Sequence, residues 1–267
     1  RPKEAMIRLN VILRQNGIQL SCILNLPQKS KRSNPFECHL LSDKFLFICE
    51  NRKSIFTKSI IWRGHDDKRN FPHMRKERHI MFRLAIIIGS TRPGRNGEAV
   101  AKWIYEIARQ RKDTEVELVD IRDYNLPLLD EPQPASTGQY TQAHTRKWSE
   151  KIISFDGFVF VTPEYNHAPP AALKNAIDYL FHEWNNKSAG FVGYGTMGAV
   201  RAVEELRILM GALMIADVRA QVMLSLFEDF EKLTVFRPNP RHEKTVNTML
   251  EQVISWGLAL RPLRKDD

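Results

Sequence analysis

Cysteine is scarce in this chain: three among 267 residues, at positions 22, 38 and 49. An odd number with no close metal-ligand spacing excludes a disulfide framework and points to a reducing compartment, so a cytoplasmic location is expected. Long apolar runs are missing as well. Nothing approaches the roughly eighteen consecutive apolar residues that a membrane helix requires, and no membrane partner is expected. Glycine is nearly absent from residues 1–80, which hold 2 of the 13, and acidic charge is short there too, with 7 Asp/Glu against 17 Lys/Arg. Residues 81–267 carry 23 basic and 24 acidic residues, so the formal charge of +9 belongs wholly to the first 80. A nucleic-acid partner would rest on that segment alone, and none is expected.

Such asymmetry marks two pieces. Residues 1–80 read as a basic extension: their apolar runs (Ile18–Leu26, Phe45–Cys49, Ile55–Trp62) keep no period of two or 3.6, and Lys29–Ser33 and Lys68–Arg78 are dense in charge. A mitochondrial presequence, on the basic Arg1–Asn34 stretch, a nucleic-acid tail and a membrane-surface segment are readings of residues 1–80, but no motif supports them. The segment is expected to be poorly structured, either a disordered tail or a translated leader ahead of Met81. Lys76-Glu77 can be encoded by a purine-rich AAGGAG, placed as a bacterial ribosome-binding site would be.

What is present begins at Met81. With 43% hydrophobic residues the chain can bury a sizeable core, and the pattern becomes strand, loop, helix, repeated. Leu84–Ile88 and Phe158–Val161 are continuous apolar runs, as strands covered on both faces should be. Glu115–Asp120, Gly190–Tyr194 and Val218–Leu224 complete five strands. Helices are expected near 97–108, over Thr141–Ser154, Ala171–His182 and Ala199–Met214, and over Glu243–Leu260. Alternation of this kind calls for an α/β domain with a doubly wound five-stranded parallel sheet and helices on both faces. Ligands in such a sheet sit beyond the carboxyl ends of the strands, so the loops at 89–97, 162–169 and 193–198 are where chemistry is expected.

The first loop, Gly89-Ser-Thr-Arg-Pro-Gly-Arg-Asn-Gly97, runs into a helix N-terminus. Unpaired amides and the helix dipole favour an anion there, with Ser90, Thr91 and Asn96 as neutral donors and Arg92 and Arg95 as charges. Its glycine spacing matches neither a Walker A loop nor the dinucleotide fingerprint. With that fingerprint absent, Asp120 reads as an ordinary strand-end residue. The second loop, Thr162-Pro-Glu-Tyr-Asn-His-Ala-Pro-Pro170, is stiffened by Pro163 and by Pro169-Pro170.

Gly-Ser-x-Arg after the first strand, Pro-Glu-Tyr-Asn-His after the third, Leu-Lys-Asn-Ala-Ile-Asp-Tyr-Leu in the next helix and Gly-Phe-Val-Gly-Tyr-Gly in the fourth strand together resemble the NADPH-dependent FMN reductases, a flavodoxin-like family. The resemblance covers about 82–225. It implies that the FMN phosphate is held by Ser90, Arg92 and Asn96, with Arg95 and Gly97 adjacent, and Thr91 stays a cofactor-binding candidate as a neutral donor of the same loop. It also implies that the isoalloxazine lies along Pro163, Glu164, Tyr165, Asn166 and His167 and along Tyr194, Gly195 and Thr196. The family often has Ser where Gly193 stands.

Tyr165 could instead pack its loop onto the sheet and His167 could simply face solvent, while Asp178 and Tyr179 read as fold or subunit-contact residues. Phe181 and Trp184 read equally as interface anchors or as core, and the resemblance implies a homodimer or homotetramer. Glu164 is not expected to act as a general base, because hydride transfer needs stacking, alignment and exclusion of water more than a side-chain acid. The expected activity is an NAD(P)H oxidoreductase that passes electrons through FMN to a small-molecule acceptor such as a flavin or quinone, donor and acceptor using one site in turn. A flavodoxin-type electron carrier is the alternative, but the near-neutral charge of 81–267 gives it no acidic docking field.

Overall fold

The computed structural model describes residues 81–264 and, before them, only four short strands. The chain divides into two units, Arg1–Met74 and Arg75–Asp267. In the first, Ile7–Leu9 pairs antiparallel with Cys22–Leu24, and Leu46–Asn51 with Ser54–Ser59. The expectation that 1–80 is a disordered tail or leader otherwise falls outside the described residues.

In the second unit the strands are β1 (Phe82–Ile88), β2 (Thr114–Asp120), β3 (Gly157–Pro163), β4 (Lys187–Gly195) and β5 (Ile215–Ser225). The helices are α1 (Gly97–Ala108), α2 (Ala143–Ile153), α3 (Ala171–Asp178), α4 (Val200–Ala212) and α5 (Arg241–Leu260). The strands form one parallel sheet in the order β2-β1-β3-β4-β5, the flavodoxin-like doubly wound order. Strand alternation divides the core in two. Leu84, Ile86, Val159, Val161 and Val192 face α1 and α5, whereas Ala85, Ile87, Phe158, Phe160 and Phe191 face α2, α3 and α4. Apolar residues on both faces are what made these strands legible as continuous runs.

Two departures have clear causes. The helix expected over Ala171–His182 ends at Asp178, and a short 3-10 turn follows at His182–Trp184. The Ala176 carbonyl accepts from the indole N–H of Trp148 (2.8 Å), and the Ile177 carbonyl accepts from the indole N–H of Trp184 (3.1 Å) as well as from the Leu180 amide (3.3 Å), a tightened last turn at which the helix closes. Trp184 is 0% exposed and packs edge-on against Phe158 at 4.8 Å, so it is core and not an interface anchor. The fourth strand starts three residues earlier than expected, at Lys187. This lysine is buried, and its ammonium donates to the carbonyls of Ile152 (3.0 Å) and Ile153 (3.1 Å) at the C-terminus of α2. Burial pulls its pKa down to about 7.

Among the described residues no helix is long and apolar enough to cross a membrane, and no group of three or more His, Cys, Asp or Glu is placed to hold a metal ion.

Candidate functional site

The parallel order brings the carboxyl ends of β1, β3 and β4 side by side, and with them the three loops. The first loop leaves β1 tight against β3: the Gly89 amide donates to the Val161 carbonyl at 2.8 Å. A Cβ on Gly89 would lie 2.9 Å from that carbonyl, which only glycine avoids. Ser90 is buried, and its hydroxyl lies 2.9 Å from the Tyr165 hydroxyl, tying the first loop to the second. Thr91 and Arg92 are exposed, and Arg92 makes no ion pair among the described residues.

Arg95 behaves differently from Arg92. Its side chain is 3% exposed and grips Asp120 with both terminal nitrogens, one at 2.9 Å, while also donating to the Ser90 carbonyl. Asp120 accepts from the Arg122 amide as well, at 3.0 Å. The residue read as an ordinary strand end is therefore the anchor that fixes the shape of the first loop. A bidentate pair holds a loop far better than a single contact. The Nε–H of Arg95 is buried without an acceptor.

Asn96 precedes α1 but does not cap it; its amide donates to the Leu233 carbonyl at 2.9 Å, on the short hairpin Phe230–Glu231 with Val235–Phe236. No side chain caps α1: the Gly97 amide faces the Tyr194 hydroxyl, and the dipole of the helix start still favours an anion. Gly97 is needed for a close approach, since a Cβ there would lie 2.6 Å from the Tyr194 hydroxyl. Tyr194 thus faces α1 and supports the first loop from below. Burial pushes its phenol up, the nearby Tyr165 adds to the rise, and Arg95, Gly97 and Ser90 oppose it.

The second loop is a tight hairpin turn. Tyr165 and Ala168 exchange both backbone hydrogen bonds, at 2.9 and 3.1 Å, and the two residues between them, Asn166 (φ 50°) and His167 (φ 72°), are left-handed. That is a type I′ turn, where asparagine and histidine are tolerated far better than most side chains. Both are exposed, so the turn presents its crest outward. Pro163 is buried at the end of β3. Glu164 turns away from the crest to Arg201 and to the N-terminus of α4, accepting from the amides of Arg201 (3.1 Å) and Ala202 (3.4 Å). Burial alone would raise its pKa, but the Arg201 hydrogen bond and these amides outweigh it and hold the carboxyl below the usual range.

In the third loop the Gly195 carbonyl accepts from the amides of Gly198 (3.3 Å) and Leu226 (3.0 Å), while Thr196 is exposed. Where the resembling family often has Ser, Gly193 has no room: a Cβ would run into the Gly198 carbonyl and lie 3.0 Å from the Ala199 Cβ. Gly193→Ser is therefore expected to cost about 1–3 kcal/mol of stability, read as a lower urea midpoint at unchanged m. An unchanged midpoint would mean that the third loop shifts freely, against its pinned geometry.

Of the residues expected at the site, Ser90, Arg95, Gly97, Tyr165 and Tyr194 form one connected cluster beneath the loops, and Thr91, Arg92, Asn166, His167 and Thr196 line the exposed crest. Pro163 and Glu164 form the base of the second loop, and Asn96 and Gly195 are spent on backbone contacts. Asp120, Arg201 and the 230–236 hairpin were missed. Their partners lie 25, 37 and 137 residues away, which no local pattern reveals. The residues present suit a phosphate-bearing planar cofactor: an uncapped helix start, an unpaired Arg92, an Arg95 Nε–H with no acceptor, and a stiff turn beside them.

Residues 82–229 match the model of the family described as NADPH-dependent FMN reductase. An NAD(P)H-dependent FMN reductase of Schizosaccharomyces pombe is 39% identical over 149 residues, 55% of this chain and 74% of that protein. A quinone reductase of Pseudomonas putida is 28% identical over 66% of this chain and 95% of its own. Among solved structures, the flavoenzyme NAD(P)H:(acceptor) oxidoreductase FerB of Paracoccus denitrificans superposes with a TM-score of 0.54 at 19% identity, covering 67% of this chain and 98% of that one, a likeness of fold. With the family's motifs standing on the matching strands and loops, the chain belongs to the NADPH-dependent FMN reductase family.

Proposed function

We propose that the three loops form an FMN site at which NAD(P)H and a small-molecule acceptor, such as a free flavin or a quinone, react in turn. The observation that carries this reading is the Ser90–Tyr165 hydrogen bond, which joins an anion-ready helix start to a stiff turn at adjacent strand ends. In this reading Ser90, Thr91, Arg92 and the amides of Asn96 and Gly97 hold the phosphate, and Arg95, neutralised by Asp120, keeps the loop in shape. Pro163, Tyr165, Asn166 and His167 line the ring on one side, and Gly195 and Thr196, supported by Tyr194, on the other.

A bound FMN would supply the hydride-accepting and electron-passing chemistry. The chain's contribution is alignment. Tyr165 is held by Ser90, so the turn after it keeps a fixed height above the sheet. Glu164 is occupied by Arg201 and by helix amides and has no proton to give, which agrees with a reaction that needs no side-chain acid. If donor and acceptor use one opening, steady-state rates at several fixed acceptor concentrations give parallel double-reciprocal lines. Intersecting lines would place both substrates on the protein together and contradict the shared site.

The reading confines function to residues 81–267. A chain beginning at Met81 is expected to fold, bind FMN and retain its turnover, measured by flavin content and NAD(P)H oxidation. Loss of soluble protein or of flavin would mean that 1–80 belongs to the working unit. A homodimer or homotetramer acting in the cytoplasm is the arrangement we favour, on the family resemblance and on the scarcity of cysteine.

A further inference from the structure

The segment Pro163–Ala168 is held from two sides. Tyr165 ties it to the first loop, and Glu164 ties it to α4. Helix α4 has no cap of its own: Ala199, at its start, is left-handed (φ 55°) and offers no side-chain acceptor. Glu164 supplies what is missing from another loop. Its carboxylate, 9% exposed, takes the amides of Arg201 and Ala202 on one oxygen and the Arg201 guanidinium on the other, with Nε at 2.6 Å. A charged acceptor at a helix N-terminus, bonded also to an arginine, is among the stronger polar contacts available. It also lies beside the third loop: a Cβ built on Gly195 would come within 4.0 Å of the Glu164 Cβ. One side chain therefore joins the second loop to the start of α4, which directly follows the third loop, and sits one residue before the turn that carries Asn166 and His167.

We propose that Glu164 and Arg201 are positioning residues that fasten the second and third loops into a single rigid surface and so set where the flavin ring stands relative to the incoming nicotinamide. The proposal rests on the FMN-reductase reading. It differs from a plain helix cap in what it moves: a cap changes only stability, whereas a ring-positioning brace changes the bound flavin. Because the brace acts on the ring end and not on the phosphate, loosening it affects FMN and riboflavin alike.

The test uses the full chain loaded with FMN or riboflavin, with the variants E164Q, R201M and R201K. E164Q and R201M are expected to weaken FMN and riboflavin by the same factor, about three- to tenfold, and to shift the visible bands of the bound flavin. With FMN saturating, anaerobic reduction by NADPH should slow about tenfold or more. R201K, which keeps the charge, should recover most of each loss. Arg201 is 45% exposed, so R201M carries the test if E164Q does not fold. Unchanged affinities and band positions, with only a lower melting temperature, would overturn the proposal and leave Glu164 as a cap. The affinity and spectral readouts need no turnover, so they judge the brace even if wild-type flavin is not reduced by NADH or NADPH, an outcome that would instead sink the reductase reading.

Discussion

Replacing Arg92 by alanine is expected to weaken FMN binding about ten- to a hundredfold and to leave riboflavin binding nearly unchanged. A charge-assisted hydrogen bond to a phosphate contributes on the order of 1.5–3 kcal/mol, and riboflavin has no phosphate to lose it. The structure sharpens the choice between the two arginines of the loop. Arg92 is exposed and makes no ion pair among the described residues, whereas Arg95 is locked onto Asp120 and Ser90. Arg95→Ala should therefore affect both ligands and the melting temperature, because it removes the two-pronged pair with Asp120 that holds the loop. Titration of the flavin fluorescence with each variant separates the two cases. Equal losses for FMN and riboflavin in Arg92→Ala would mean that Arg92 supports the loop and does not face the phosphate.

Replacing Tyr165 and Asn166 together by alanine is expected to slow the reductive half-reaction by about a hundredfold, the cost of a misplacement near 1 Å. Two separate supports are lost. Tyr165 gives up its hydrogen bond to Ser90 at 2.9 Å, and Asn166 leaves a left-handed position at φ 50° that alanine occupies with strain. Single variants apportion the effect. Tyr165→Phe removes only the hydroxyl, and Asn166→Gly keeps the turn while removing the side chain. If the slowing comes from lost alignment, Asn166→Gly should stay close to the wild type in anaerobic stopped-flow reduction. A hundredfold loss in Asn166→Gly would mean that the asparagine side chain itself takes part.

The sheet was legible because its strands are buried on both faces. Leu84–Ile88 and Phe158–Val161 read as continuous apolar runs for that reason, and the glycines, prolines and polar residues between runs marked the three loops. Strand and helix ends were less legible where a distant group decides them. Nothing near Lys187 in the chain shows that it starts a strand, because its burial is made tolerable by carbonyls at the end of α2. Likewise, the last carbonyls of α3 bond the indoles of two tryptophans, one of them on α2, which no pattern within α3 reveals. The candidate site divides the same way. The exposed residues of the crest were readable from motif and loop chemistry, but the devices that hold the crest in place are pairings across the fold: Arg95 with Asp120, Glu164 with Arg201, Asn96 with Leu233. The turn at Asn166-His167 was visible only as a loop stiffened by its flanking prolines; the two left-handed residues and the paired backbone hydrogen bonds of Tyr165 and Ala168 add a constraint that the motif does not show.

Whether these loops hold a flavin that pyridine nucleotide reduces is the central question. The direct measurement is anaerobic stopped-flow mixing of the FMN-loaded protein with NADH or NADPH, followed by its visible spectrum. The expected result is a yellow protein whose flavin absorbance bleaches in a single rapid phase with at least one of the two donors and returns when a quinone is added. A flavin that neither donor reduces, but that accepts single electrons from a reductase protein, would contradict the enzyme assignment and make the chain an electron carrier.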